Sequence, residues 1–154
     1  MAESPSAALR RLGFELPPAP QPKGSYAPAV RAGPQVYISG QGPMRGGVTI
    51  YPGHVDANVS IAQAQEGARL AVLQGLAAAA QLLGSIDQIR RVVRVVVYVA
   101  SSPGFNRQHE VGNGATECLL AIFGEAGRPA RVSVGVPSLP LDFPVEVEML
   151  LLAE

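Results

Sequence analysis

The stretch Gly127-Arg128-Pro129-Ala130-Arg131-Val132-Ser133-Val134-Gly135-Val136, followed after Leu139-Pro140 by Val145-Glu146-Val147-Glu148, places one arginine and two glutamates on runs that are otherwise nearly all apolar. The density of β-branched residues predicts two strands, Ala130 to Val136 and Val145 to Leu152. A charge kept within such runs must be matched by a partner or a ligand, because burying it alone is costly. Joined as a hairpin through Pro137 to Pro144, the two strands would pair Val136 with Val145, Val134 with Val147 and Val132 with Met149. That face is wholly apolar and suits packing against helices. The opposite face would then gather Arg131, Ser133 and Gly135 beside Glu146, Glu148 and Leu150.

Two readings of that second face stay open. It is either a solvated surface with ion pairs worth about 0–1 kcal/mol, or, since Leu150 and Leu152 share it, a face packed on another subunit. In the second reading the planar fork of Arg131 suits a bidentate grip on a small carboxylate.

Upstream, Tyr26 to Val30 and Gln35 to Ser39 read as a hairpin turned at Arg31-Ala32-Gly33-Pro34, and Val48 to Tyr51 as an edge strand after the Arg45-Gly46-Gly47 turn. Ser60 with Gln63 forms a capping-box pattern. From there Ile61, Ala64, Ala68, Val72, Leu76, Ala79 and Leu83 keep helical spacing up to Gly84. Arg91 to Ala100 is β-branched, with Val93, Val95, Val97 and Val99 on one face and Val92, Arg94, Val96 and Tyr98 on the other. A second helix is expected from Asn106 to Phe123, with Gly112 and Gly114 each weakening it by about 1 kcal/mol relative to alanine. The order predicts an α/β domain with a mixed sheet and two helices on one face. Ahead of it, residues 1–23 read as a short helix capped by Ser4-Pro5 and ended by Gly13, then the polyproline-like arm Leu16-Pro17-Pro18-Ala19-Pro20-Gln21-Pro22. The domain proper is expected over 24–154.

A chain of 154 residues has the size of one domain. Lys plus Arg equals Asp plus Glu at 12 each, which disfavours nucleic-acid binding by phosphate neutralisation. Only 16% of residues are charged and 47% are apolar, too little polar surface to coat a small monomer, so a subunit interface is expected. Cys118, among Leu119, Leu120 and Ile122, reads as a small core residue. His54 and His109 lack metal-ligand spacing, and no metal site is expected. With neither a signal peptide nor a bilayer-length apolar run, the reading is a cytoplasmic protein without membrane attachment.

Gly24-Ser25-Tyr26, Ser39-Gly40-Gln41, Asn113, Pro129-Ala130-Arg131, and Leu139-Pro140 with Val145-Glu146-Val147-Glu148 together resemble the Rid family, the YjgF/RidA-like proteins. The likeness runs from Gly24 to the C-terminus, and the longer N-terminus resembles a branch labelled chorismate-mutase-like or endoribonuclease. The resemblance implies a chorismate-mutase-like (bacillus type) fold and a homotrimer with clefts between subunits. It also implies cofactor-free hydrolysis of small 2-imino and enamine acids to the 2-oxo acid and ammonia. By that resemblance Arg131 grips the substrate carboxylate and Glu146 positions the attacking water. Tyr26 walls the pocket, Ser39 and Gly40 present polar and backbone groups, and Asn113 braces the site. Ser133 stands where typical RidA proteins have cysteine, which alters the pocket floor. A trimeric sensor of small 2-oxo acids is the alternative, and ribonuclease activity is disfavoured because no pair of histidines is placed for acid and base work.

Overall fold

The computed structural model describes residues 2–154. Its elements are α1 (Pro5–Leu12), β1 (Ala29–Ala32), β2 (Gln35–Gln41), β3 (Met44–Arg45), β4 (Val48–Thr49), α2 (Ile61–Leu83), β5 (Ile89–Ala100), α3 (Gln108–Phe123), β6 (Ala130–Val136) and β7 (Val145–Ala153). The main sheet has the order β1-β2-β7-β5-β6. Only β5 and β6 run parallel, and α2 and α3 pack together on one face of the sheet.

Each element has a local cause. The hairpin β1–β2 turns on Gly33-Pro34, with Gly33 at φ +60°, so Arg31 and Ala32 lie within the ladder and not in the turn. Ser60 and Gln63 cap α2 reciprocally, Ser60 Oγ accepting from Gln63 N–H at 3.1 Å and Gln63 Oε1 from Ser60 N–H at 3.0 Å. Gly84 closes α2 in the left-handed conformation. Met44–Arg45 and Val48–Thr49 form a separate small hairpin, so the expected edge strand does not join the main sheet. In β5 the register shifts between Val92 and Arg94. This bulge puts Val92 with Val95, Val97 and Val99 in the core and leaves Val93 half-buried, which corrects the simple alternation expected there.

The hairpin expected between the last two strands does not form. β5, α3 and β6 make a β-α-β unit, and β6 pairs with β5 in parallel at the sheet edge. The chain then crosses over, and β7 enters between β2 and β5. For β7 the expected parity holds: Val145, Val147, Met149, Leu151 and Ala153 are buried, and Glu146, Glu148 and Leu150 face away from the helices. For β6 it is inverted. Arg131, Ser133 and Gly135 are in register with the core-facing Val95, Val97 and Val99, so they face α3. Val132 and Val134 turn outward and remain 42% and 38% exposed.

The N-terminal segment is packed on this core. Leu9 belongs to the hydrophobic cluster, with Leu12, Phe14 and Leu16 against it. Ser6 anchors α1 by donating its N–H and hydroxyl to the Asp87 carboxylate at 2.8 and 2.7 Å. The expected boundary near Gly24 is therefore no break in packing.

Candidate active site

The inverted face of β6 sets the environment of Arg131. Its Nη1 donates to Asn113 Oδ1 at 2.8 Å and Thr116 Oγ1 at 3.2 Å, and its Nη2 to the His109 carbonyl at 3.2 Å. These partners lie on one stripe of α3, where His109, Gly112, Asn113 and Thr116 follow helical spacing. Gly112 is required at this contact. A Cβ there would lie 2.2 Å from Ser133 Oγ and 3.3 Å from Arg131 Cζ. The Ser133 hydroxyl is thereby sealed against α3 and has no hydrogen-bond partner among the described residues.

Among the described residues no carboxylate lies within ion-pair distance of Arg131. The expectation that Arg131 and Glu146 share one face of the sheet is corrected, because within one chain the two side chains lie on opposite faces. The guanidinium is held by neutral oxygens that use both N–H groups of Nη1 and one of Nη2. Nε and the remaining N–H of Nη2 are left, the edge that meets a carboxylate in two parallel bonds.

Glu146 belongs to a second group, at the junction of β2 and β7. The β2 register shifts between Ile38 and Gln41, so Ser39 and Gly40 bulge beside β7. The missing side chain of Gly40 makes room for Glu146, whose Oε1 lies 2.2 Å from where a Cβ would stand. Ser39 ties down the preceding segment, its hydroxyl donating to the Ala27 carbonyl at 2.7 Å and its N–H to Pro28 O at 2.9 Å. Tyr26 lies just before, exposed, its hydroxyl accepting from Lys23 N–H at 3.2 Å.

Burial raises the Glu146 carboxyl above its ordinary range, and the nearby Glu148 carboxylate adds to the effect. Glu148, which strand parity had placed on the same face as Glu146, accepts from the Tyr98 hydroxyl at 3.0 Å, a partner that residue spacing did not single out. Between the ordinary value of 4.5 and the raised one, folded Glu146 holds its proton while the unfolded chain releases it. Its contribution to stability therefore falls as pH rises through that window. Glu146→Gln removes this penalty, so its melting temperature relative to wild type should be higher at pH 7 than at pH 4. Parallel melting curves across pH would contradict the assignment.

Among the described residues no three metal-ligating side chains gather. His54 Nε2 lies 2.6 Å from the Pro137 carbonyl, far in function from His109, whose carbonyl serves Arg131. Cys118 is buried in the core, where desolvation pushes its thiol up to about 12. It is no nucleophile at neutral pH. Cys118→Ala should keep full activity at some cost in stability, and loss of turnover in a folded variant would overturn this.

The family model described as "YjgF/chorismate mutase-like, putative endoribonuclease" matches residues 6–154, and the chain belongs to this family. The protein TCP17 of Trypanosoma cruzi is 40% identical over 94% of this chain and 91% of its own. A RutC family protein of Pyrococcus horikoshii is 30% identical over 84% and 88%. A crystal structure of a protein of unknown function from Agrobacterium tumefaciens superposes with TM-score 0.91 at 38% identity, covering 97% of this chain and 92% of that one. Among the described residues no helix is long and apolar enough to cross a membrane.

Proposed function

We propose that this protein hydrolyses small 2-imino and enamine acids to the 2-oxo acid and ammonia, in clefts between the subunits of a homotrimer. The observation that carries the reading is Arg131, a cation oriented by neutral oxygens with one guanidinium edge uncommitted. Such an edge is built for a ligand carboxylate. Membership in the YjgF family supports the reaction class.

The two groups of site residues favour a shared site. Arg131 with Asn113 lies on the helix side at the β6 edge, and Glu146 with Gly40, Ser39 and Tyr26 lies beyond β5 on other strands. A neighbouring subunit can bring the second group to the first. The open sheet face, with Val132, Val134, Tyr37 and Val30 exposed, offers the apolar surface that such an assembly covers.

In the mechanism, Arg131 fixes the substrate carboxylate and thereby the imine carbon. Glu146, its proton affinity raised by burial, orients a water toward that carbon and takes up its proton. The imine reacts as its iminium, and Glu146 passes the water's proton to the nitrogen of the tetrahedral adduct. The hydroxyl proton then goes to the carboxylate as the C–N bond breaks, the carbonyl forms and ammonia leaves. An imine is already electrophilic, so positioning supplies most of the rate. Ser133, sealed beneath Arg131, shapes the floor.

An amino acid oxidase generating the imine in place, with and without the protein, tests this through the rate of ammonia release. Acceleration proportional to protein concentration is expected. Binding of the 2-oxo acid without acceleration would leave a sensor in place of an enzyme. Light scattering should give three times the monomer mass, and a stable monomer at micromolar concentration would overturn the shared cleft.

A further inference from the structure

A cleft of about 840 Å³ runs beneath the N-terminal arm, between α2 and the β3–β4 hairpin. Its lining includes Phe14, Leu16, Pro20, Leu70, Leu73 and Met44, and neither Arg131 nor Glu146 is part of it. It does include Tyr26 and Gly40. Gly40 is the residue against which the Glu146 carboxylate packs, so this cleft and the Glu146 group share a wall. We infer that the cleft receives the side chain of the substrate, and that the protein acts on 2-imino acids with large apolar side chains. This rests on the deaminase reading above.

The wall is formed in advance. Leu9 is anchored in the core, Phe14 N–H donates to the Leu9 carbonyl at 3.0 Å, and the Arg69 guanidinium lies 4.5 Å from the Phe14 ring centroid. Arg69 is itself paired with Glu66, so this cation is committed to holding the arm. Five prolines between Pro17 and Pro28 stiffen the strand of chain that roofs the cleft. On the other side, Gln74 Nε2 donates to the Met44 carbonyl at 3.0 Å and fixes the small hairpin to α2. A rigid cleft needs little ordering when a ligand enters.

Size and chemistry select the ligand. Clefts of roughly 300–1,000 Å³ accept groups far larger than a methyl. Leu73 is buried and Leu70, Phe14, Leu16 and Met44 are half-buried, whereas Lys23 and Arg45 are exposed at the rim. The interior therefore favours a branched aliphatic or aromatic side chain, with the imine and carboxylate left outside at the Gly40 wall. A three-carbon substrate would leave this apolar surface uncovered.

The test compares imines made in place from leucine, phenylalanine and alanine. The wild type should show kcat/KM at least about 10-fold higher for the first two, as expected for several buried methylenes. Leu70→Trp, which fills the cleft, should lower kcat/KM for the leucine-derived imine about 10-fold more than for the alanine-derived one, while Leu70→Ala should keep the preference. Equal rates for all three imines, or equal losses in Leu70→Trp, would overturn the inference. If no imine is hydrolysed, the deaminase reading fails and the cleft is judged by calorimetry. There 4-methyl-2-oxopentanoate should bind at least about 10-fold tighter than pyruvate, and equal or absent binding would overturn the cleft as well.

Discussion

Arg131→Ala should lower kcat/KM for imine hydrolysis by about 100-fold or more, the scale of losing substrate orientation, and should abolish binding of the product 2-oxo acid. Strand β6 should still form, because its ladder to β5 uses backbone groups alone. The cost to folding falls on Asn113 and Thr116, which lose a donor at a half-buried site, and on the more exposed His109 carbonyl. Arg131→Lys is the sharper substitution. Lysine keeps the charge and can still donate to Asn113 Oδ1, but it has no second planar edge. It should retain weak binding and lose most of the rate. Lysine kinetics equal to wild type would reduce Arg131 to a point charge, and an alanine variant that still turns over would move the site elsewhere.

Gly114→Ala should be strongly destabilising although it adds a single methyl group. Helix propensity alone favours alanine by about 1 kcal/mol, and on that basis the residue looks like a weakness in α3. The packing reverses the sign. A Cβ on Gly114 would lie 2.2 Å from the Gln65 carbonyl oxygen and 2.6 Å from Gln65 Cα, so α2 and α3 touch backbone to backbone. The clash cannot be relieved by turning a side chain. The Gln65 side chain, donating to the Glu110 carbonyl at 2.8 Å, ties the helices at the same level. A net loss of about 3 kcal/mol is expected, seen as a melting temperature lower by roughly 6–12 °C at fixed protein concentration. Glu117→Ala, on the exposed side of α3, should change little. A Gly114→Ala protein as stable as wild type would mean that the helices do not approach as described.

Gly114 and Arg131 show how far residue patterns reach. The capping box at Ser60, the left-handed Gly84 and the spacing of Ala64, Ala68, Val72 and Leu76 were all legible, because helix signals are local. Both charged strands were legible from their β-branched density. The residues of the candidate site were legible chiefly through family resemblance. The partners of Arg131 were only half so: Asn113 was singled out, while Thr116 and the His109 carbonyl were missed. Their helical spacing with Asn113 was the available signal, once Arg131 was known to face α3.

The error in parity has a definite cause. A period-two pattern shows that residues of a strand divide between two faces, but it does not say which face meets the helices. In β6 the valines suggested the inward face, yet Val132 and Val134 are the outward ones and Arg131 and Ser133 turn toward α3. The pairing of neighbours in sequence suggested a hairpin, whereas the α3 crossover commits β6 to β5 and the central slot falls to β7. By itself the sequence determined the kinds of the main elements, the apolar character of both sheet faces and the presence of an arginine on an otherwise apolar strand. Only the tertiary structure decided that Arg131 and Glu146 stand on opposite faces, since strand order and facing depend on contacts between segments far apart in the chain.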